Sequence, residues 1–63
     1  MKYSVKELRA RVNKTQKEVA QDLNISVQTY NEWENNLGKV KLSNAQKLAN
    51  YFGVKLDDFL FVF

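Results

Sequence analysis

The chain has 63 residues, a net charge of +3 and neither Cys nor His. That length allows one domain, residues 1–63, with a core so small that it is marginal without partners. The missing residue types exclude disulfides, a thiolate or imidazole metal site and any Ser-His or Cys-His nucleophile pair. The seven acids are scattered and offer no general-base chemistry, so no enzyme, no cofactor and no small-molecule ligand is expected.

The start, Met1-Lys2-Tyr3-Ser4-Val5-Lys6, lacks the apolar stretch of a signal peptide. The longest apolar run, Phe59 to Phe63, is far too short to span a bilayer, so a cytoplasmic protein is expected. Apolar spacing predicts a first helix from about Ser4 to Val12, with Val5, Leu8 and Val12 on one face. Asn13 then stops it, because Asn tolerates the left-handed conformation. Thr15 with Glu18 three residues on is a capping box for a second helix carrying Val19, Ala20 and Leu23. Asn24 is a second left-handed stop. Ser26 caps a third helix with Tyr30, Trp33 and Leu37 turned inward. Ser43 caps a fourth with Ala45, Leu48, Ala49 and Phe52, and Gly53 ends it. A short fifth helix from about Leu56 buries Phe59 and Leu60. No segment alternates over the length of a strand, so the expected fold is all-α, a five-helix bundle.

The second and third helices are separated only by Leu23-Asn24-Ile25-Ser26. Two short helices joined so tightly must cross steeply, which makes residues 15–35 a helix-turn-helix. In such a unit the N-terminal end of the second helix is offered to the major groove. The charge agrees with a polyanionic partner. Residues 35–56 hold Lys39, Lys41, Lys47 and Lys55 with no acid, and the first seventeen residues hold six cations against Glu7 alone.

The runs Thr15-Gln16-Lys17-Glu18-Val19-Ala20, Leu23-Asn24-Ile25-Ser26, Tyr30-Asn31-Glu32-Trp33-Glu34-Asn35 and Leu48-Ala49-Asn50-Tyr51-Phe52-Gly53-Val54 resemble the lambdoid phage repressor and Cro family of XRE-type regulators. The resemblance covers about Val5 to Leu60, with many weak matches in the right order. It implies a five-helix DNA-binding domain that usually dimerises and usually represses transcription. It also implies that Gln16 bridges a phosphate and the recognition helix, and that Arg9 and Glu34 form a structural ion pair. Asn13, and Asn24 or Asn36, stand where the family commonly has Gly, and Asn is the best non-Gly residue at positive φ. The segment from Asn35 to Leu42 lacks the Pro often found there and is slightly longer than the family norm.

Tyr30 and Trp33 have a choice between stacking on bases and packing in the core, and helical periodicity favours the core. The opposite face carries Gln28, Glu32 and Asn35 with Asn31 beside it. Asn and Gln can grip an adenine edge through two hydrogen bonds, so Gln28, Asn31 and Glu32 are candidate base contacts. Val27 either meets a thymine methyl or packs. Thr15, Gln16 and Lys17 place backbone N–H groups and a cation at a helix N-terminus, a seat for phosphate. Ser26 and Thr29 join them as backbone contacts. Lys39 and Lys41 either touch phosphates or only add solubility. Phe61, Val62 and Phe63 either complete the core or form a dimer interface.

The expected function is sequence-specific binding of a pseudo-palindromic operator in double-stranded DNA, as a homodimer that forms fully only on DNA. Such a protein is most readily a repressor from a phage or other mobile element. No further domain is expected after this one, so control is expected from concentration, degradation or a partner protein. Two other readings stay open: an antitoxin that regulates its own synthesis, and a helix-turn-helix reused for protein–protein contact.

Overall fold

The computed structural model describes residues 2–59. Among them are four α-helices: α1 (Val5–Arg11), α2 (Gln16–Asp22), α3 (Val27–Asn35) and α4 (Leu42–Phe52). Two 3-10 turns, Leu37–Lys39 and Leu56–Asp58, flank α4.

The first three helices start by the same local chemistry. Ser4, Thr15 and Ser26 hold extended backbone, and each hydroxyl accepts the N–H of the residue three positions on. In α1 and α2 the box is complete: Glu7 accepts from the Ser4 N–H and Glu18 from the Thr15 N–H. Those two carboxylates are held below the ordinary range, chiefly by these backbone hydrogen bonds. Asn13 (φ 56°) and Asn24 (φ 59°) sit in the left-handed region and turn the chain out of α1 and α2. Gly53 (φ 70°) does the same after α4, where its N–H and that of Val54 close onto carbonyls of the last turn.

Several expectations need correcting. The fifth helix is a single 3-10 turn: the Asp58 carboxylate accepts the Lys55 N–H, and Phe59 then pairs as an isolated parallel bridge with Tyr3. Five α-helices are therefore not found among the described residues. α4 begins one residue before Ser43, after Lys41, and no side chain caps it. Leu42 is left 69 % exposed. Asn36 has φ −134°, so it is not a left-handed stop. Val12 caps the end of α1 and is exposed instead of joining the core. Leu37 is buried as expected but from the 3-10 turn, not from α3. Leu60 to Phe63, the candidate dimer tail included, lie outside the described residues.

The core gathers Val5 and Leu8 from α1, Val19 and Ala20 from α2, Tyr30 from α3, Leu48 and Ala49 from α4, with Leu37 and Phe59. Leu23, Ile25, Trp33 and Phe52 pack on it half-buried. Full burial of a side chain such as Leu48 or Phe59 contributes about 1.5–3 kcal/mol, so these few residues carry most of the apolar stabilisation. Their second effect is to fix α3 from behind.

Candidate nucleic-acid interface

The turn between α2 and α3 is short because Asn24 reverses the chain in one step. Asn24 and Ile25 return their N–H groups to Gln21 and Ala20. Ser26 then caps α3 and also donates its hydroxyl hydrogen to Thr29 Oγ1 (2.9 Å).

Polar side chains clamp α3 to α1 and α2. Arg9 Nε donates to Glu34 Oε2 at 2.6 Å, and Arg9 Nη1 donates to the Lys14 carbonyl at 3.0 Å. Gln16 Nε2 donates twice, to Glu34 Oε1 and to Asn31 Oδ1, both at 3.0 Å. The Glu34 side chain is only 3 % exposed and that of Arg9 19 %. Burial alone would raise the Glu34 carboxyl. Arg9, the neighbouring Tyr30 hydroxyl and Gln16 outweigh it and hold the group below the usual carboxylate range. Arg9 is raised in turn, chiefly by its hydrogen bond to Glu34. The Tyr30 hydroxyl is buried beside this pair without a well-formed hydrogen bond, and burial followed by Glu34 pushes its ionisation far upward.

The opposite side of α3 faces out. One concavity joins Gln16 of α2 to Ser26, Val27, Gln28, Thr29, Asn31 and Glu32. Gln28, Asn31 and Glu32 are exposed, and Val27 is 45 % exposed. Thr15 and Lys17, the neighbours of Gln16 in sequence at the start of α2, are both exposed. A second concavity lies beyond the end of α3, where Glu32, Trp33, Asn36, Lys39, Val40, Lys41 and Asn44 meet. Six of the seven lining residues of the first concavity carry side-chain hydrogen-bonding groups, so it suits a hydrogen-bonding surface better than an apolar one. Among the described residues no cluster of acids could hold a metal ion, and no helix is long and apolar enough to cross a membrane.

A helix-turn-helix family model matches residues 5–59, which includes all four helices and both 3-10 turns. The chain belongs to the XRE/Cro-type helix-turn-helix family. Membership makes it a DNA-binding regulator of the helix-turn-helix kind, a family that is not typically enzymatic. No curated protein and no solved structure matches the chain.

Gln16 reaches α3, the recognition helix, as the family resemblance implies, but its partners there and one surface cluster were not foreseen from the sequence. The Gln16–Asn31 contact joins residues fifteen apart. Lys14, Asp22 and Tyr51 form a surface cluster: Lys14 Nζ reaches Asp22 at 2.7 Å, and the Tyr51 hydroxyl donates to the same oxygen at 2.6 Å. This cluster ties the α1–α2 loop to the end of α4. Its sequence signal is nil, because the three residues share no local pattern.

Proposed function

We propose that the protein is a sequence-specific regulator, a repressor from a phage or other mobile element, that acts in the cytoplasm. Its target is a pseudo-palindromic operator in double-stranded DNA, bound as a homodimer. The reading rests above all on α3, whose outward N-terminal face presents Gln28, Asn31 and Glu32 while Tyr30, Trp33 and Glu34 anchor the other side. A rigid helix with exposed amides at its leading end is suited to base edges in a major groove.

Gln28, Val27, Asn31 and Glu32 are assigned to bases in this reading. Thr15, Gln16, Lys17, Ser26, Thr29, Lys39 and Lys41 are assigned to the phosphate backbone. Gln16 has both amide hydrogens engaged inside the protein, so its backbone N–H is the group left for a phosphate. Dimerisation follows from the size of the site. One domain spans too few base pairs to be found in a genome, and two domains need half-sites about 10–10.5 base pairs apart. Phe61, Val62 and Phe63 supply an apolar segment for the contact.

Selection from random duplex DNA, followed by titration against salt, tests the reading. The expected outcome is a two-fold symmetric motif and an affinity that falls steeply with salt. Lys39→Ala and Lys41→Ala should each lower the salt slope by about one. Salt-independent binding would contradict DNA recognition. A single site without symmetry would leave DNA recognition standing and remove the dimer.

A further inference from the structure

We infer that Asn31 presents its NH2 group to the duplex and meets it as a hydrogen-bond donor, its amide held in one orientation by the buried Glu34 carboxylate acting through Gln16. The inference rests on the DNA reading above and names what α3 asks of its target.

A carboxylate only accepts hydrogen bonds. Glu34 is an ionised carboxylate, paired with Arg9 at 2.6 Å in a largely buried place. Whatever Gln16 turns toward Glu34 must therefore be its NH2 group, and Nε2 lies 3.0 Å from Glu34 Oε1. The second hydrogen of that NH2 group points at Asn31. Asn31 must answer with an acceptor, and its Oδ1 lies 3.0 Å away. The amide of Asn31 is planar, so with its oxygen turned to α2 its NH2 group points away from α2. A buried ion pair thus fixes the polarity of an exposed side chain two hydrogen bonds away.

The consequence is chemical. Gripping adenine takes an acceptor and a donor side by side. The Asn31 oxygen is turned to α2 and accepts from Gln16, so the edge that it presents outward is its NH2 group with two N–H donors. It fits best where no donor stands beside the acceptor: O6 and N7 of guanine, O4 of thymine, or a phosphate oxygen, whereas adenine N7 lies beside the N6 amino group, which an NH2 group would meet donor to donor. Glu32, next along the helix and exposed, has the opposite polarity and accepts only.

The test uses wild type, Asn31→Ala, Asn31→Asp and Gln16→Ala on a randomised duplex pool, then titrates the recovered site and a scrambled duplex. Asn31 is exposed, so its variants should melt close to wild type. Asn31→Asp turns an oxygen toward an acceptor and should weaken the recovered site at least about tenfold. If the acceptor is a base, Asn31→Ala relaxes one guanine or thymine position, and Gln16→Ala admits adenine there. If it is a phosphate, Asn31→Ala weakens both duplexes alike, and adding it to Gln16→Ala costs less than on wild type. Either pattern supports the inference. It is overturned if wild type selects adenine at the position that Asn31→Ala relaxes, or if Asn31→Asp binds as wild type does. A wild-type protein that recovers no duplex overturns the DNA reading itself. That failure is distinct, because every other outcome begins from wild-type binding.

Discussion

The N-terminal half of the fold and the C-terminal half are held by different means. α1, α2 and α3 each begin on a Ser or Thr hydroxyl, and α1 and α2 end before an Asn at positive φ. They are seven to nine residues long, too short to be stable alone, and the polar clamp of Arg9, Gln16 and Glu34 joins them. α4 is the longest helix, at 11 residues, and starts with no side-chain cap. It is held by the burial of Ala45, Leu48 and Ala49 instead. Where α3 must be aimed, the chain uses buried directional bonds, whereas α4 is held chiefly by apolar packing, with the Tyr51 contacts to Asp22 and Lys14 added near its end.

The largest test of that contrast is Arg9→Ala. It leaves the Glu34 carboxylate buried without its cation, and should destabilise the fold by about 3–5 kcal/mol. Chemical denaturation measures it, and a loss under about 1 kcal/mol would mean that the pair behaves as an exposed one. The same clamp shapes the response to acid. Glu34, Glu7, Glu18 and Asp22 are all held below their ordinary values. Their stabilisation is present above the unfolded carboxylate range and is lost as pH falls through their folded values. With no His in the chain, the melting temperature should be flat between about pH 5 and 8 and fall below about pH 4. Arg9→Ala should shrink that acid limb, because Glu34 no longer gains from its partner.

Gly53→Ala comes next. Nothing lies within 4 Å of the Cβ it would add, so the cost is that of the left-handed backbone alone, about 1–2 kcal/mol. A larger loss would point to packing strain. The caps give the smallest effects and the sharpest contrast. Ser4→Ala and Thr15→Ala should each cost about 1 kcal/mol. Ser43→Ala should cost only a few tenths of that, because Ser43 lies inside α4 and caps nothing. Equal losses at all three would erase the difference between the halves.

What could be read from the sequence follows the same division. Thr15 with Glu18, Ser26, Asn13, Asn24 and Gly53 are local signals, and local chemistry settles those boundaries. The Ser4–Glu7 box obeys the same rule and was legible too, although apolar spacing alone placed α1. Ser43 misled because a good capping residue stood one turn from the core positions, while packing of Ala45 and Leu48 let the helix begin at Leu42. The segment after Leu56 read as helix because its apolar spacing is helical. Its real form depends on Tyr3, at the other end of the chain, and no local pattern carries that. Of the site, the outward face of α3 was visible as periodicity. That Gln16 reaches α3 came from the family resemblance, but its partner Asn31 was not legible, because the bond forms only once α2 and α3 have crossed.

The central claim is that the outward face of α3 reads bases, and Gln28 tests it most directly. Its side chain is exposed in the first turn of that helix, with no role in the core. Affinities of wild type and Gln28→Ala should be compared on the site recovered by selection and on a scrambled duplex, at one fixed salt concentration. The account predicts a loss of about 1–3 kcal/mol on the recovered site and almost none on the scrambled one. Equal loss on both duplexes, or none on either, would contradict it.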